Sequence, residues 1–146
     1  MRLLFVCTGN TCRSPMAQGL AKRCFSEEVE VFSAGINAFE GDCISKNAAA
    51  VLMEKGIDIS QHKAVKLTKE LIENVDLVFS MTKAQELFLS HGYPHYRKKI
   101  RCLGYLSDPP KEVSDPWGSS LETYRRCAQE IEQMLIEISR KLDSAF

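Results

Sequence analysis

The chain has 146 residues, of which 45% are hydrophobic and 26% charged, as expected for one globular domain (1–146) that can bury a substantial core. Its 19 basic side chains balance its 19 acidic ones, so no global field draws it to nucleic acid or to an anionic membrane, and any anion site must be local. The apolar run Leu3-Leu4-Phe5-Val6 is too short for a signal peptide, and no stretch approaches the roughly 20 apolar residues that span a bilayer, so a cytoplasmic protein with no membrane partner is expected.

Leu3 to Val6 reads as a strand buried on both faces. A polar, glycine-containing loop follows, and Ser14-Pro15 predicts a helix start, with serine as N-cap and proline at the first helical position. Met16, Leu20, Ala21 and Cys24 give that helix an apolar stripe. Val29 to Phe32 predicts a second strand, closed by Ser33-Ala34-Gly35. A helix is expected from about Ser45 to Lys55, stopped by Gly56. Thr68 caps a short helix containing Glu70 to Ile72, Asp76 to Met81 forms a third strand, and Thr82 caps the helix after it. Ile100 to Leu103 is a short fourth strand. Beyond the proline-rich loop from Ser107 to Pro116, apolar residues from Leu121 to Leu142 recur every three or four positions, one face of a long final helix from about Ser120. Strands alternating with helices predict a single-domain α/β fold, a parallel sheet covered on both faces.

Six cysteines (Cys7, Cys12, Cys24, Cys43, Cys102 and Cys127) are scattered through a chain with no export signal, which predicts mostly free thiols. Cys7 is set apart by its position. The first strand delivers it to the carboxyl edge of the sheet, where open parallel sheets bind ligands. From there the loop Cys7-Thr8-Gly9-Asn10-Thr11-Cys12-Arg13-Ser14 runs straight into a helix N-terminus. Gly9 and Asn10 allow the backbone N–H groups to turn inward as a nest for an anion, and the helix dipole points at the same spot. Arg13 supplies a planar fork for two phosphate oxygens. Cys7 in that positive field is favoured as a thiolate, a nucleophile for phosphorus that gives a phospho-cysteine intermediate. Ser14 and Asn10 are expected as supporting partners, one near the sulfur and one holding the loop.

A cysteine at a strand end is by itself more often a small buried hydrophobe, and Cys-x5-Arg alone arises by chance. Cys7 and Cys12 could also form half of a metal site, but no second pair stands at zinc-finger spacing and the histidines have no ligand spacing. The ordered combination of strand, cysteine, Gly-Asn, arginine and helix start favours the phosphatase reading.

Such an intermediate needs a carboxylic acid to protonate the leaving group. Two Asp-Pro pairs are available, Asp108-Pro109 and Asp115-Pro116. Asp115 is preferred because Trp117 and Gly118 follow it immediately before the last helix. Trp117 can then wall the substrate pocket or, on the plainer reading, anchor the core.

These features resemble the low-molecular-weight protein tyrosine phosphatase family along the whole chain. The matching pieces are Phe5-Val6-Cys7-x-Gly9-Asn10-x-Cys12-Arg13-Ser14-Pro15-Met16-Ala17, Ser33-Ala34-Gly35, Gly56-Ile57-Asp58-Ile59-Ser60 with His62, and Asp115-Pro116. The resemblance implies a four-stranded parallel sheet flanked by helices, no metal or organic cofactor, and phosphorylated proteins as substrates. It implies Cys7 as nucleophile, Arg13 as phosphate clamp and Asp115 as general acid and then general base. Thr8, Gly9, Asn10, Thr11, Cys12, Ser14 and Trp117 would line the substrate site. It also implies that oxidation can pair Cys7 with Cys12.

Within the family, tyrosine-directed members typically carry isoleucine or leucine where this chain has Thr11, and often two aromatics after Asp-Pro where it has Trp117-Gly118. Both departures resemble the protein-arginine phosphatase branch, so phosphoarginine is the expected substrate and phosphotyrosine the alternative. Thiol-dependent arsenate reductases share the fold and loop, but this chain has no cysteine pair after the third strand, only Ser80-Met81-Thr82 and then Cys102. A non-catalytic phosphoprotein-binding module is disfavoured because Cys7, Arg13 and Asp115 are all present. The run Tyr93 to Lys99 is read as a solvated turn.

Overall fold

The computed structural model describes residues 1–145. Four strands, β1 (Arg2–Cys7), β2 (Glu30–Gly35), β3 (Leu77–Ser80) and β4 (Ile100–Cys102), form one sheet in the order β2-β1-β3-β4 with every pair parallel. Five helices accompany it: α1 (Arg13–Cys24), α2 (Lys46–Glu54), α3 (Lys69–Glu73), α4 (Lys83–Gly92) and α5 (Leu121–Ala145). Pro94 to Lys99 is a 3-10 turn with no buried residue, but the solvated reading holds only in part, since Tyr93 and Tyr96 are half-buried against the core.

β1 is central, and its residues 3–7 are buried. Successive side chains of a strand point to opposite faces, and the two faces carry separate cores. Leu3, Phe5 and Cys7 pack with Met16, Leu20, Phe79 and the apolar stripe of α5, including Ala128, Ile131, Leu135 and Ile138. Leu4 and Val6 pack with Ile72, Val78, Leu89 and Ile100 on the side of α3 and α4. Burying each of these large apolar side chains contributes roughly 1.5–3 kcal/mol, so the strand that ends in Cys7 is among the most firmly seated elements.

The topology gives Cys7 its location. The chain leaves β1, returns through α1 to β2 on one side, and later crosses to β3 on the other. The carboxyl end of β1 is thus a switch point, where diverging connections leave a crevice.

Most helix ends follow local chemistry. Thr68 accepts from the Leu71 N–H, and Thr82 forms a reciprocal capping box with Gln85. Ser120 accepts from the Thr123 N–H at the start of α5. The start of α1 departs from expectation. Cys12, not Ser14, takes the N-cap position, and Ser14 lies buried in the first turn. Its hydroxyl is used elsewhere.

Candidate active site

Eight residues line a pocket of about 210 Å³ at the carboxyl end of β1: Cys7, Thr8, Gly9, Thr11, Cys12, Arg13, Asp115 and Trp117. All eight were singled out from the sequence. Asn10 and Ser14 lie beneath the pocket, both 0% exposed.

Cys7 is 3% exposed, and its sulfur sits among polar neighbours. The Asn10 N–H donates to it at 3.3 Å, and the Ser14 hydroxyl lies 2.9 Å away. Asn10 Nδ2 donates to the Ser14 oxygen at 2.8 Å, so the single hydroxyl proton of Ser14 has two acceptors in reach, the sulfur at 2.9 Å and the Ala34 carbonyl at 3.5 Å, of which the sulfur is nearer. The sulfur thus has two polar hydrogens within reach. Burial disfavours the thiolate at two other buried cysteines: it pushes Cys102 up, and Cys127 up to about 12. The six cysteines are free.

The loop's shape follows from how its carbonyls are tied. In a planar trans peptide the C=O and the next N–H point in opposite directions. The Cys7 carbonyl accepts from Ile36 N–H and that of Thr8 from Asn37 N–H, both at 2.9 Å. The Asn10 carbonyl accepts from His62 Nε2 at 2.9 Å, which puts the ring proton on that nitrogen. The Thr11 carbonyl accepts from Ser45 N–H at 3.0 Å. With these four carbonyls held by the surrounding protein, the N–H groups of Thr8, Gly9, Thr11 and Cys12 are turned the other way, toward the pocket. The result is a ring of donors at the positive end of α1, an anion nest.

The reversal in this loop is made by Asn10, with φ 56°, and not by Gly9, whose φ is ordinary. Asparagine tolerates the left-handed region when its side chain is engaged locally. Here the amide is held at both ends, since Oδ1 also accepts from Val65 N–H at 2.8 Å. Close approach, by contrast, is supplied by Gly35. A Cβ there would stand 2.8 Å from the Thr8 carbonyl oxygen and 2.9 Å from the Asn10 nitrogen, so only glycine lets β2 support the loop.

Arg13 is 5% exposed. Its Nη1 donates to the Val113 carbonyl at 3.0 Å, and Nη2 lies 3.8 Å from Asp115 Oδ2. Asp115 has a side chain 56% exposed and accepts from the Trp117 N–H at 3.1 Å. Trp117 is 75% exposed and lines the pocket, which overturns the core reading. Asp108 precedes a cis bond to Pro109 and does not line the pocket.

Sequence reasoning missed three supports. Gln85 bridges the loop to the turn after β3: its Nε2 donates to Thr8 Oγ1 at 3.1 Å, and its Oε1 accepts from the Met81 and Thr82 N–H groups. Ser45 and Tyr124 meet the loop from α2 and α5, with the Tyr124 hydroxyl 3.3 Å from Cys12 Sγ and accepting from Ser45 Oγ at 3.1 Å. Burial, and then the bond to Cys12, push Tyr124 up to about 12. The only signal was a polar tip on residues placed among apolar stripes. His62, read as a structural loop residue, sits under the loop; burial holds it below the usual imidazole range, and the bond to the Asn10 carbonyl opposes that only in part.

The chain resembles known proteins along nearly its whole length. Residues 2–145 match the family described as low molecular weight phosphotyrosine protein phosphatase. The protein-arginine-phosphatase of Bacillus subtilis (strain 168) is 37% identical over 97% of both chains. The structure of the YwlE arginine phosphatase from Geobacillus stearothermophilus superposes with a TM-score of 0.92 at 38% identity, covering 99% of this chain and 94% of that one. The tyrosine phosphatase Wzb from Escherichia coli K30, in complex with sulphate, gives 0.90 at 30% identity over 97% of each. The chain belongs to the low molecular weight phosphotyrosine protein phosphatase family.

Proposed function

We propose that this enzyme removes phosphate from phosphoarginine on proteins through a phospho-cysteine intermediate on Cys7. The observation that carries the reading is the convergence of Cys7, Arg13 and Asp115 on one small pocket whose wall includes Thr11.

In the first step the Cys7 thiolate attacks phosphorus and an S–P bond forms. The inward N–H groups and Arg13 hold the equatorial oxygens, where charge collects in the transition state. The P–N bond to the guanidine breaks, and the acid form of Asp115 gives its proton to the departing nitrogen. In the second step water attacks phosphorus, Asp115 takes its proton, and the S–P bond breaks to release phosphate and restore the thiolate. Ser14 and the Asn10 N–H stabilise the thiolate at both ends of the cycle.

Thr11 supports phosphoarginine over phosphotyrosine. Its hydroxyl makes only a loose approach of 3.9 Å to Cys12 Sγ among the described contacts, so it can serve a polar guanidinium at the mouth. The relatives named protein-arginine-phosphatase at 37% and 38% identity support the same substrate. Exposed Trp117 beside Asp115 favours phosphotyrosine as the second reading, since an indole can face a phenyl ring. A thiolate mechanism and six free cysteines fit a reducing, cytoplasmic setting.

The test is kcat/KM for a phosphoarginine peptide against a matched phosphotyrosine peptide in reducing, metal-free buffer. A clear preference for phosphoarginine is expected, and Thr11→Ile should shift the ratio toward phosphotyrosine. A wild-type preference for phosphotyrosine would overturn the substrate assignment, and an unchanged ratio in the variant would remove Thr11 as its determinant.

A further inference from the structure

The corner of the loop at Thr11 and Cys12 is the part that the sulfur's own neighbours do not hold. Its tethers come from far along the chain. Ser45 reaches it twice, once through its N–H to the Thr11 carbonyl at 3.0 Å, and once through its hydroxyl to Tyr124, whose own hydroxyl meets Cys12 Sγ at 3.3 Å. Ser45 stands at the N-cap of α2, yet its side chain makes no cap bond. A serine there ordinarily caps the helix with its side chain, and here the hydroxyl is turned to Tyr124 instead. Tyr124 is 2% exposed in the first turn of α5 and 112 residues from Cys12. Its ring is part of the core that packs α5 under β1, so its oxygen is located by that core and not by the loop. Because the Ser45 hydroxyl donates to it, its single proton is directed to the Cys12 sulfur.

We propose that Tyr124 is a positioning residue for phosphoryl transfer: its hydroxyl locks Ser45 and Cys12 together, so that the Thr11–Cys12 peptide keeps the Cys12 N–H aimed into the phosphate site. The proposal rests on the phosphatase reading of the Cys7 loop. The Cys12 N–H lies at the N-terminus of α1, where the helix adds positive potential. A rotation of that one peptide plane misaims a donor without disturbing the Asn10 side of the loop, which Val65, His62 and Ser14 hold independently. Tetrahedral phosphate tolerates such a displacement better than the trigonal-bipyramidal transition state, whose equatorial oxygens need every donor in place.

Tyr124→Phe keeps the buried ring and removes only the hydroxyl. Calorimetric affinities for vanadate and inorganic phosphate, with kcat and KM on para-nitrophenyl phosphate, test the idea. Vanadate binding and kcat should each weaken by about tenfold, while phosphate affinity and KM change by no more than about twofold. Ser45→Ala should cause a similar loss, and the double variant little more, since both act through one hydroxyl contact. Unchanged vanadate affinity, equal weakening of both anions, or additive losses would overturn the proposal. If Tyr124→Phe does not fold, Ser45→Ala supplies the same readouts. Should the wild type bind vanadate but hydrolyse no phosphate ester, the phosphatase reading fails while the binding arm still reports on Tyr124.

Discussion

The two loops that meet at the pocket are held in opposite ways. Between Cys7 and Ser14, five side chains are 5% exposed or less, and four carbonyls are tied to the surrounding protein. Between Ser114 and Ser120 only Pro116 is buried, and Asp115 and Trp117 stand largely in solvent. The second loop hangs on Val113, which is 0% exposed, donates to the Met81 carbonyl at 2.9 Å and accepts from Arg13. The contrast suits the two tasks proposed for these loops. An anion cradle works by donors that are already aligned and need no reorganisation as charge develops. A group that first gives and then takes a proton must reach a leaving nitrogen and later a water, which a fully buried carboxylate could not do.

Five substitutions probe this contrast, in descending order of effect. Cys7→Ser should reduce turnover by several orders of magnitude while phosphate affinity stays measurable by calorimetry, because the nest does not depend on the sulfur; appreciable residual turnover would remove Cys7 as the nucleophile. Asp115→Asn should slow the chemical step by roughly a hundredfold or more, with phosphate affinity little changed, whereas Asp108→Asn should leave single-turnover rates near wild type. The reverse ranking would mean that the wrong aspartate was assigned. Gly35→Ala should lower stability by about 1–3 kcal/mol and weaken phosphate binding with it, since backbone must move to admit the methyl group. In the open loop Gly118→Ala, at φ 76° with no atom within 4 Å of the added carbon, should cost about 1 kcal/mol of strain and leave phosphate affinity intact. Thermal melts paired with phosphate titrations would separate the two cases, and equal effects on binding would erase the distinction between the loops.

What the sequence disclosed was set by distance along the chain. The strand, the loop and the helix after it are contiguous, so the order Cys7, Gly9-Asn10, Arg13 and Ser14 already carried the anion nest. Even there, one local rule misled. Ser14 has the residue type of an N-cap, but its hydroxyl is needed beside the sulfur, so Cys12 takes the cap position without a side-chain bond. Glycine is the default for a left-handed turn, but Asn10 occupies it because its amide is held by Ser14 and Val65. The supports of Thr8, Asn10 and Cys12 come from Gln85, His62 and Tyr124, at separations of 77, 52 and 112 residues. No periodicity reveals such pairs, since a tyrosine in an apolar stripe looks the same whether or not its hydroxyl meets a partner.

The Arg13–Val113 hydrogen bond has a consequence for how such enzymes can diversify. One hundred residues of chain separate the two, yet a single bond of 3.0 Å, with Val113 sealed in the core, registers the loop that carries Asp115 against Arg13. Spacing within the catalytic group is therefore insulated from chain length upstream. Residues 108–112 are all exposed, and lengthening a surface loop costs little entropy, about 0.6 kcal/mol for each doubling. This rim can be lengthened, shortened or recoloured with charge to meet new protein surfaces while the chemistry keeps its alignment.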